Sequence, residues 1–345
     1  MNNITLLGID LAKDIFQLHG TDERGKVVLE KQIKRAKLSG FIANLPRCTI
    51  VMEACSGANY WSRCFQKFGH EVKQISPQFV KPYVKTNKND IADSAAINEA
   101  GSRPHMRFVT PKSIEQQDIQ NLHRIRSRLI KQRTALGNQI RGLLAEYGIC
   151  IGKSLSSLRC KLSLILEDAE NELTALTREV VEDLRTEISE VDKRISQYDL
   201  RIKEIFKSAE ACQRIAQIKG IGELTATALI AGVGDAKQFK NGRQFSAYLG
   251  LVPRQCSSGG REKLLGISKR GDTYLRCLLI HGARAVLAQV DKKEDKRSGY
   301  WSVKKRELGM NKAAVALANK NARVIWALLS KGENYDVEGK KQKAA

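Results

Sequence analysis

The chain of 345 residues carries 59 Lys+Arg against 37 Asp+Glu, a formal net charge of +22, more than surface solvation needs and pointing to a polyanionic partner. The cations are spread along the sequence and not gathered in one amphipathic helix or tail, which favours nucleic acid over an anionic membrane or an acidic protein. Residues 1–10 lack the basic and apolar regions of a leader, and no apolar run is long enough to span a bilayer, so a cytoplasmic protein is expected.

In chain order, Ile4–Asp10, Ile15–Gly20 and Lys26–Ile33 read as consecutive strands, followed by a helix over Lys37–Leu45, a buried strand Thr49–Glu53, a helix Ala58–Phe68 and a strand Glu71–Ile75. Three meandering strands followed by strand, helix and strand is the element order of an RNase H-like (RuvC-like) α/β domain, expected over residues 1–110. From Ser113 to Tyr147 apolar residues at helical spacing (Ile119, Leu122, Ile125, Leu129, Leu136, Ile140, Leu143, Leu144) alternate with Arg and Lys, predicting one long basic amphipathic helix. A second stretch, Leu173 to Phe206, places Leu176, Val180, Leu184, Ile188, Val191, Ile195, Tyr198 and Ile202 at three- and four-residue spacing. That seam suits a coiled coil, either between chains or as a helical hairpin within one. Long helices are therefore expected over 111–208, a mainly α, glycine-rich C-terminal domain over 209–330, and a disordered charged tail over 331–345. The eight cysteines form no CxxC pair and have no histidine at zinc-finger spacing, so reduced thiols are expected.

Asp10 ends one apolar strand and Glu53 another, so neighbouring strands would bring both carboxylates to one edge. Asp90 and Asp93 lie three apart at a helix start and share a face. Each acid alone has an ordinary explanation as a turn residue, a strand-end ion-pair partner or a helix-start charge. Four converging carboxylates, however, repel unless cations neutralise them, and hard oxygen ligands select Mg²⁺ or Mn²⁺, ions suited to phosphoryl transfer.

Ile218-Lys219-Gly220-Ile221-Gly222 lies between helical runs and has the pattern of a helix-hairpin-helix, in which backbone N–H groups meet a DNA phosphate. The alternative is a glycine C-cap between packed helices. The nearby Lys219, Lys237, Lys240 and Arg243 favour DNA. Further on, a Ser257-Ser258-Gly259-Gly260 loop is flanked by Arg254, Arg261, Lys263, Lys269 and Arg270, cations able to hold a phosphate.

Gly8-Ile9-Asp10, Met52-Glu53-Ala54, Lys88-Asn89-Asp90-Ile91-Ala92-Asp93, Gly250-Leu251-Val252-Pro253 with Ser258-Gly259, and Ser268-Lys269-Arg270-Gly271-Asp272 together resemble the IS110/IS1111 family of transposases, over nearly the whole chain. Ile267–Ala285 is more similar to the IS1111 branch. The resemblance implies a RuvC-like DEDD domain whose acids are Asp10, Glu53, Asp90 and Asp93, and a C-terminal serine nucleophile at Ser258, with Ser257 as the rival and Cys256 beside them. It also implies assembly of protomers (dimer or tetramer) through a coiled coil, DNA as donor and target, and guidance by a bridge RNA. Two other readings stay open: a RuvC-like metal-dependent nuclease that activates water, and a non-catalytic nucleic-acid-binding protein.

Overall fold

The computed structural model describes residues 3–84, 89–333 and Tyr335, and the chain divides into two compact units, Met1–Ile114 and Glu115–Ala345. The tail expected to be disordered lies, beyond Tyr335, outside the described residues, as does Lys88.

The first unit is a mixed sheet. Strands β1 (Leu6–Asp10), β2 (Ile15–Thr21) and β3 (Val27–Lys34) form an antiparallel meander. Helix α1 (Arg35–Ala43) returns the chain to β4 (Thr49–Glu53), and α2 (Ala58–Lys67) leads to β5 (Glu71–Ile75). A short α3 (Pro77–Val80), α4 (Asp90–Ser102) and β6 (Phe108–Val109) complete it. The strand order is β3-β2-β1-β4-β5-β6, with β1, β4 and β5 parallel, an arrangement that fits an RNase H-like sheet.

Alternation along the strands assigns their faces. Leu7 and Ile9 of β1 and Ile50 and Met52 of β4 join one buried cluster with Leu38, Ile42, Trp61 and Phe65 of α1 and α2. Val51 and Ile75 join a second cluster on the opposite face, with Ala96, Ile97 and Ala100 of α4, and Leu6 packs against it. The intervening Gly8 is the point of closest approach: a Cβ there would lie 2.7 Å from the Ser94 carbonyl oxygen and 2.8 Å from the Asn98 nitrogen. Asn98 locks this crossing, donating to the Leu6 oxygen at 3.1 Å and the His19 oxygen at 2.9 Å while accepting from Thr21 Oγ1 at 3.2 Å.

The second unit is mostly helical and holds two cores. In the first, α5 (Ile114–Ala145), α6 (Leu155–Glu167) and α7 (Ala175–Ser208) bury Leu129, Leu136, Ile140 and Leu144 against Leu158, Leu162, Val181, Ile188, Val191 and Ile195. The ion pairs Arg126–Asp199 and Arg133–Asp192 show α5 and α7 running antiparallel within one chain. The seam from Leu184 onward is thus covered internally, whereas the positions expected at its start differ. Leu176 is 70% and Val180 40% exposed, and Val181 is buried instead, where α6 joins the pair. The helix α6 was not foreseen; its capping serine Ser154 accepts from the Ser157 N–H at 3.0 Å.

The second core gathers α8 (Glu210–Ala216), α9 (Glu223–Val233), α10 (Gly242–Tyr248), α11 (Thr273–Gln289) and α12 (Lys296–Lys331). A hairpin of β7 (Pro253–Gln255) and β8 (Leu264–Ile267) projects between α10 and α11 in sequence. Helix α12 doubles back at Gly309, whose φ is 74°. Arg297 therefore reaches Asn321 in a 3.4 Å hydrogen bond, residues that a straight helix would hold about 36 Å apart. Among the described residues no helix is long and apolar enough to cross a membrane.

Candidate active site

Because Leu7 and Ile9 face α1 and α2, the two-residue period turns Asp10 to the α4 face, and the same parity sends Glu53 there with Val51. The parallel register pairs Ile9 with Met52, so Asp10 and Glu53 leave adjacent strands at one level. Helix α4 runs antiparallel to β1: Asn98 lies over Leu6 and Ser94 over Gly8, four helical residues matching two strand residues, about 6 Å in each case. One further turn carries Asp90 and Asp93 to the end of β1 at Asp10. Asn89 fixes that turn by accepting from the Ala92 N–H at 2.6 Å.

A thiol reports the field at this edge. Cys55 is pushed above the ordinary cysteine range by burial, then by the charge of Glu53, then by that of Asp10. A cation would be favoured where a thiolate is not. The donors are all hard carboxylate oxygens, the set that suits Mg²⁺ or Mn²⁺. Among the described residues, no three His, Cys, Asp or Glu side chains are close enough to hold a metal ion. The four acids therefore share an edge and a face without closing into a ligand set.

In the second unit, Ser258 and Arg261 bracket a tight turn, with the Arg261 N–H donating to the Ser258 oxygen at 3.0 Å. Gly259 and Gly260 take φ of 55° and 76°, left-handed values that favour glycine at both central positions. The two candidate serines are distinguished here. Ser257 Oγ accepts from Gln255 Nε2 at 3.0 Å and from the Lys263 N–H at 3.3 Å, whereas the Ser258 hydroxyl makes no side-chain hydrogen bond among the described residues. Cys256, also exposed, donates its N–H to the Lys263 oxygen at 2.9 Å. Arg254, Arg261, Lys269 and Arg270 are all exposed.

The hairpin stands on a rigid base. The Ser268 N–H donates to the Val252 oxygen at 2.8 Å and the Lys269 N–H to the Gly250 oxygen at 3.2 Å, joining the two sequence motifs that flank the serines. Arg276, buried and unnoticed in the sequence, donates to the oxygens of Leu249 at 3.3 Å and Arg270 at 3.0 Å. Its position one turn into α11 was the only available signal.

At the glycine turn between α8 and α9, Gly220 (φ 93°) meets Gly282 of α11 so closely that a Cβ would lie 2.7 Å from the Gly282 oxygen. Lys219 pairs with Asp295 at 3.4 Å. Gly222, by contrast, borders open space and precedes the first turn of α9. Cys48 and Cys212 are core thiols, each pushed up to about 11 by burial, and all eight cysteines are free.

A sheet with carboxylates at adjacent strand ends, in one chain with a basic helical unit, defines a polynucleotide-processing protein built on an RNase H-like domain. The DEDD transposase model of the IS110 group matches residues 7–149 and the "Transposase IS116/IS110/IS902 family" model residues 212–298. The chain is 51% identical to the transposase for insertion sequence element IS1111A of Coxiella burnetii, over 97% of this chain and 92% of that one. It is 47% identical to a probable family 20 transposase of Pseudomonas aeruginosa, over 96% and 99% of the two chains. Similarity to the transposase for insertion sequence element IS1328 of Yersinia enterocolitica reaches 39% identity over 96% and 98%. The chain belongs to the IS110/IS1111 family of transposases.

Proposed function

We propose that this transposase cuts and rejoins DNA through a covalent serine–DNA intermediate formed at Ser258, with Asp10, Glu53, Asp90 and Asp93 holding Mg²⁺ or Mn²⁺. The observation that carries the carboxylate half is the strand parity that turns Asp10 and Glu53 onto the face where α4 begins. The serine half is supported by the Ser258 hydroxyl, which makes no side-chain hydrogen bond among the described residues, beside the engaged hydroxyl of Ser257. The metal, when bound, neutralises the phosphate and the carboxylates together.

Ser258 Oγ forms a bond to a DNA phosphorus, the bond from phosphorus to the 3′-oxygen breaks, and the serine proton is balanced by one taken up on the departing 3′-hydroxyl. A second 3′-hydroxyl reverses these steps, so the phosphodiester is conserved and no nucleotide hydrolysis is required. Arg254, Arg261, Lys269 and Arg270 hold the phosphate near the hairpin. Gly220, Gly222 and Lys219 act as a helix-hairpin-helix contact, in which Gly222 offers the open backbone and Lys219 exchanges Asp295 for phosphate.

Residues 1–110 then form the metal domain, 111–208 the helical spacer and 209–330 the serine domain. Protomers assemble as a dimer or tetramer that unites carboxylates and serine of different subunits, and a bridge RNA supplies base recognition. Because the Leu184–Ile202 seam is covered within the chain, assembly falls to other faces, including those with exposed Leu164, Leu176 and Leu200.

Incubation with labelled junction DNA and Mg²⁺, followed by denaturation, tests the reading. Wild type and Ser257→Ala should leave a protein–DNA adduct that Ser258→Ala and Asp10→Asn lose. Free nicked product at the wild-type rate in Ser258→Ala would establish a nuclease that uses water instead.

A further inference from the structure

A groove of about 800 Å³ lies between the start of α10 and the two arms of α12, and neither the candidate acids nor the candidate serines line it. Its lining contributes Arg243, Lys320 and Arg323 and no carboxylate. Two other cations of α12 are matched: Lys304 pairs with Glu307 and Lys305 with Asp291. Among the described residues none of the three groove cations has an ion-pair partner.

Aromatic surface accompanies this charge. Tyr300 is 53% exposed, and Lys320 Nζ stands 5.7 Å from its ring centre and 5.9 Å from that of Trp301. Trp301 is itself buried and lines the groove beside Lys320. The groove walls are fixed. Gly242 packs so tightly that its Cβ would lie 3.0 Å from the Arg323 backbone, and Trp326 Nε1 donates to the oxygens of Ala236 and Phe239 at 3.1 Å.

Cations without an ion-pair partner among the described residues and an exposed ring match an unpaired polynucleotide strand, which offers phosphates and a base face together. A duplex would hide its base faces. We infer that this groove binds an unpaired stretch of nucleic acid, with one base stacked on Tyr300 and the adjoining phosphates held by Arg243, Lys320 and Arg323. This rests on the reading that the chain handles nucleic-acid strands, and it adds a single-strand site separate from the carboxylates and the serine hairpin.

Fluorescence anisotropy of the full chain in EDTA tests it, because binding without divalent ion requires neither cleavage nor joining. The probes are a labelled 12-nucleotide oligothymidylate, a 12-nucleotide oligouridylate and a 12-base-pair duplex. Tyr300→Ala should weaken single-strand binding about fivefold to a hundredfold, Tyr300→Phe should retain it, and duplex affinity should change less than about twofold. Arg243→Gln and Arg323→Gln should each lower the salt slope on the single strand by about 0.7. The sugar whose probe suffers the larger loss identifies the strand as DNA or RNA. Unchanged affinity for both single strands, with melting temperatures equal to wild type, overturns the proposal, and so does an equal loss on the duplex. Failure to form the serine adduct would leave this readout untouched.

Discussion

A buried imidazole set between two hydroxyls is most easily kept neutral, and His123 illustrates it, with Tyr274 Oη and Thr227 Oγ1 each 3.0 Å from a ring nitrogen. Burial first and the Arg126 guanidinium second push its pKa down from 6.5 to about 4. Between those values the unfolded chain binds the extra proton. Stability is therefore full above pH 6.5 and falls as the pH drops toward 4, by about 3 kcal/mol for this group. Urea unfolding as a function of pH should show that slope reduced in His123→Gln, and an identical slope in the two proteins would contradict it. A single hydrogen atom matters equally at Gly8. There Ala would press its Cβ on the backbone of Ser94 and Asn98 at 2.7 and 2.8 Å, which cannot yield as a flexible side chain would. Gly8→Ala should cost about 1–3 kcal/mol, read as a lower urea midpoint, and should weaken stabilisation by Mg²⁺ because α4 carries Asp90 and Asp93. An unchanged midpoint would show that α4 is not held where β1 places it.

At the scale of elements, the helical hairpin separates what a periodic seam says from what it leaves open. Spacing along α7 identifies the buried face but not the partner, since a helix of the same chain and one of another chain demand the same leucines and isoleucines. Ile195 is 5% and Leu176 70% exposed, so Ile195→Ala should cost about 2–5 kcal/mol and Leu176→Ala within about 0.5 kcal/mol. Thermal unfolding at two protein concentrations checks this: a concentration-dependent loss in Ile195→Ala would assign that seam to an interface between chains. The strands Thr49–Glu53 and Glu71–Ile75 were legible residue for residue because each is a short run rich in β-branched or apolar residues between helical stretches. In helix α6 Leu155, Leu158, Leu162 and Leu166 keep to one stripe, but Leu164 on the opposite face, 67% exposed, blurs the pattern. The reversal of α12 was hidden for another reason: it depends on one positive φ at Gly309, which the surrounding helical pattern does not announce.

For the whole molecule, sequence alone located Asp10 and Glu53 because strand ends are local features, and their common face followed once the order of strands was known. The distances among the four acids were not legible, because they depend on how α4 meets the sheet at Gly8 and Asn98, 90 residues apart in the chain. The difference in hydrogen bonding between Ser257 and Ser258 was equally hidden, because it depends on the hairpin register that brings the Lys263 N–H to Ser257 Oγ. Net charge is the property read most directly from composition, and at +22 it makes a quantitative demand on binding. Every phosphate neutralised on duplex DNA adds about 0.9 to the slope of log K against log salt, so a footprint of six to ten phosphates loses about 10³–10⁵ in affinity between 50 and 200 mM salt. Arg254→Gln and Arg261→Gln, at the exposed serine hairpin, should each reduce that slope by about 0.9 while leaving the preference among duplex sequences unchanged, since phosphate contacts position a protein without reading bases. Affinity that hardly varies across that salt range would separate the positive charge from DNA binding altogether.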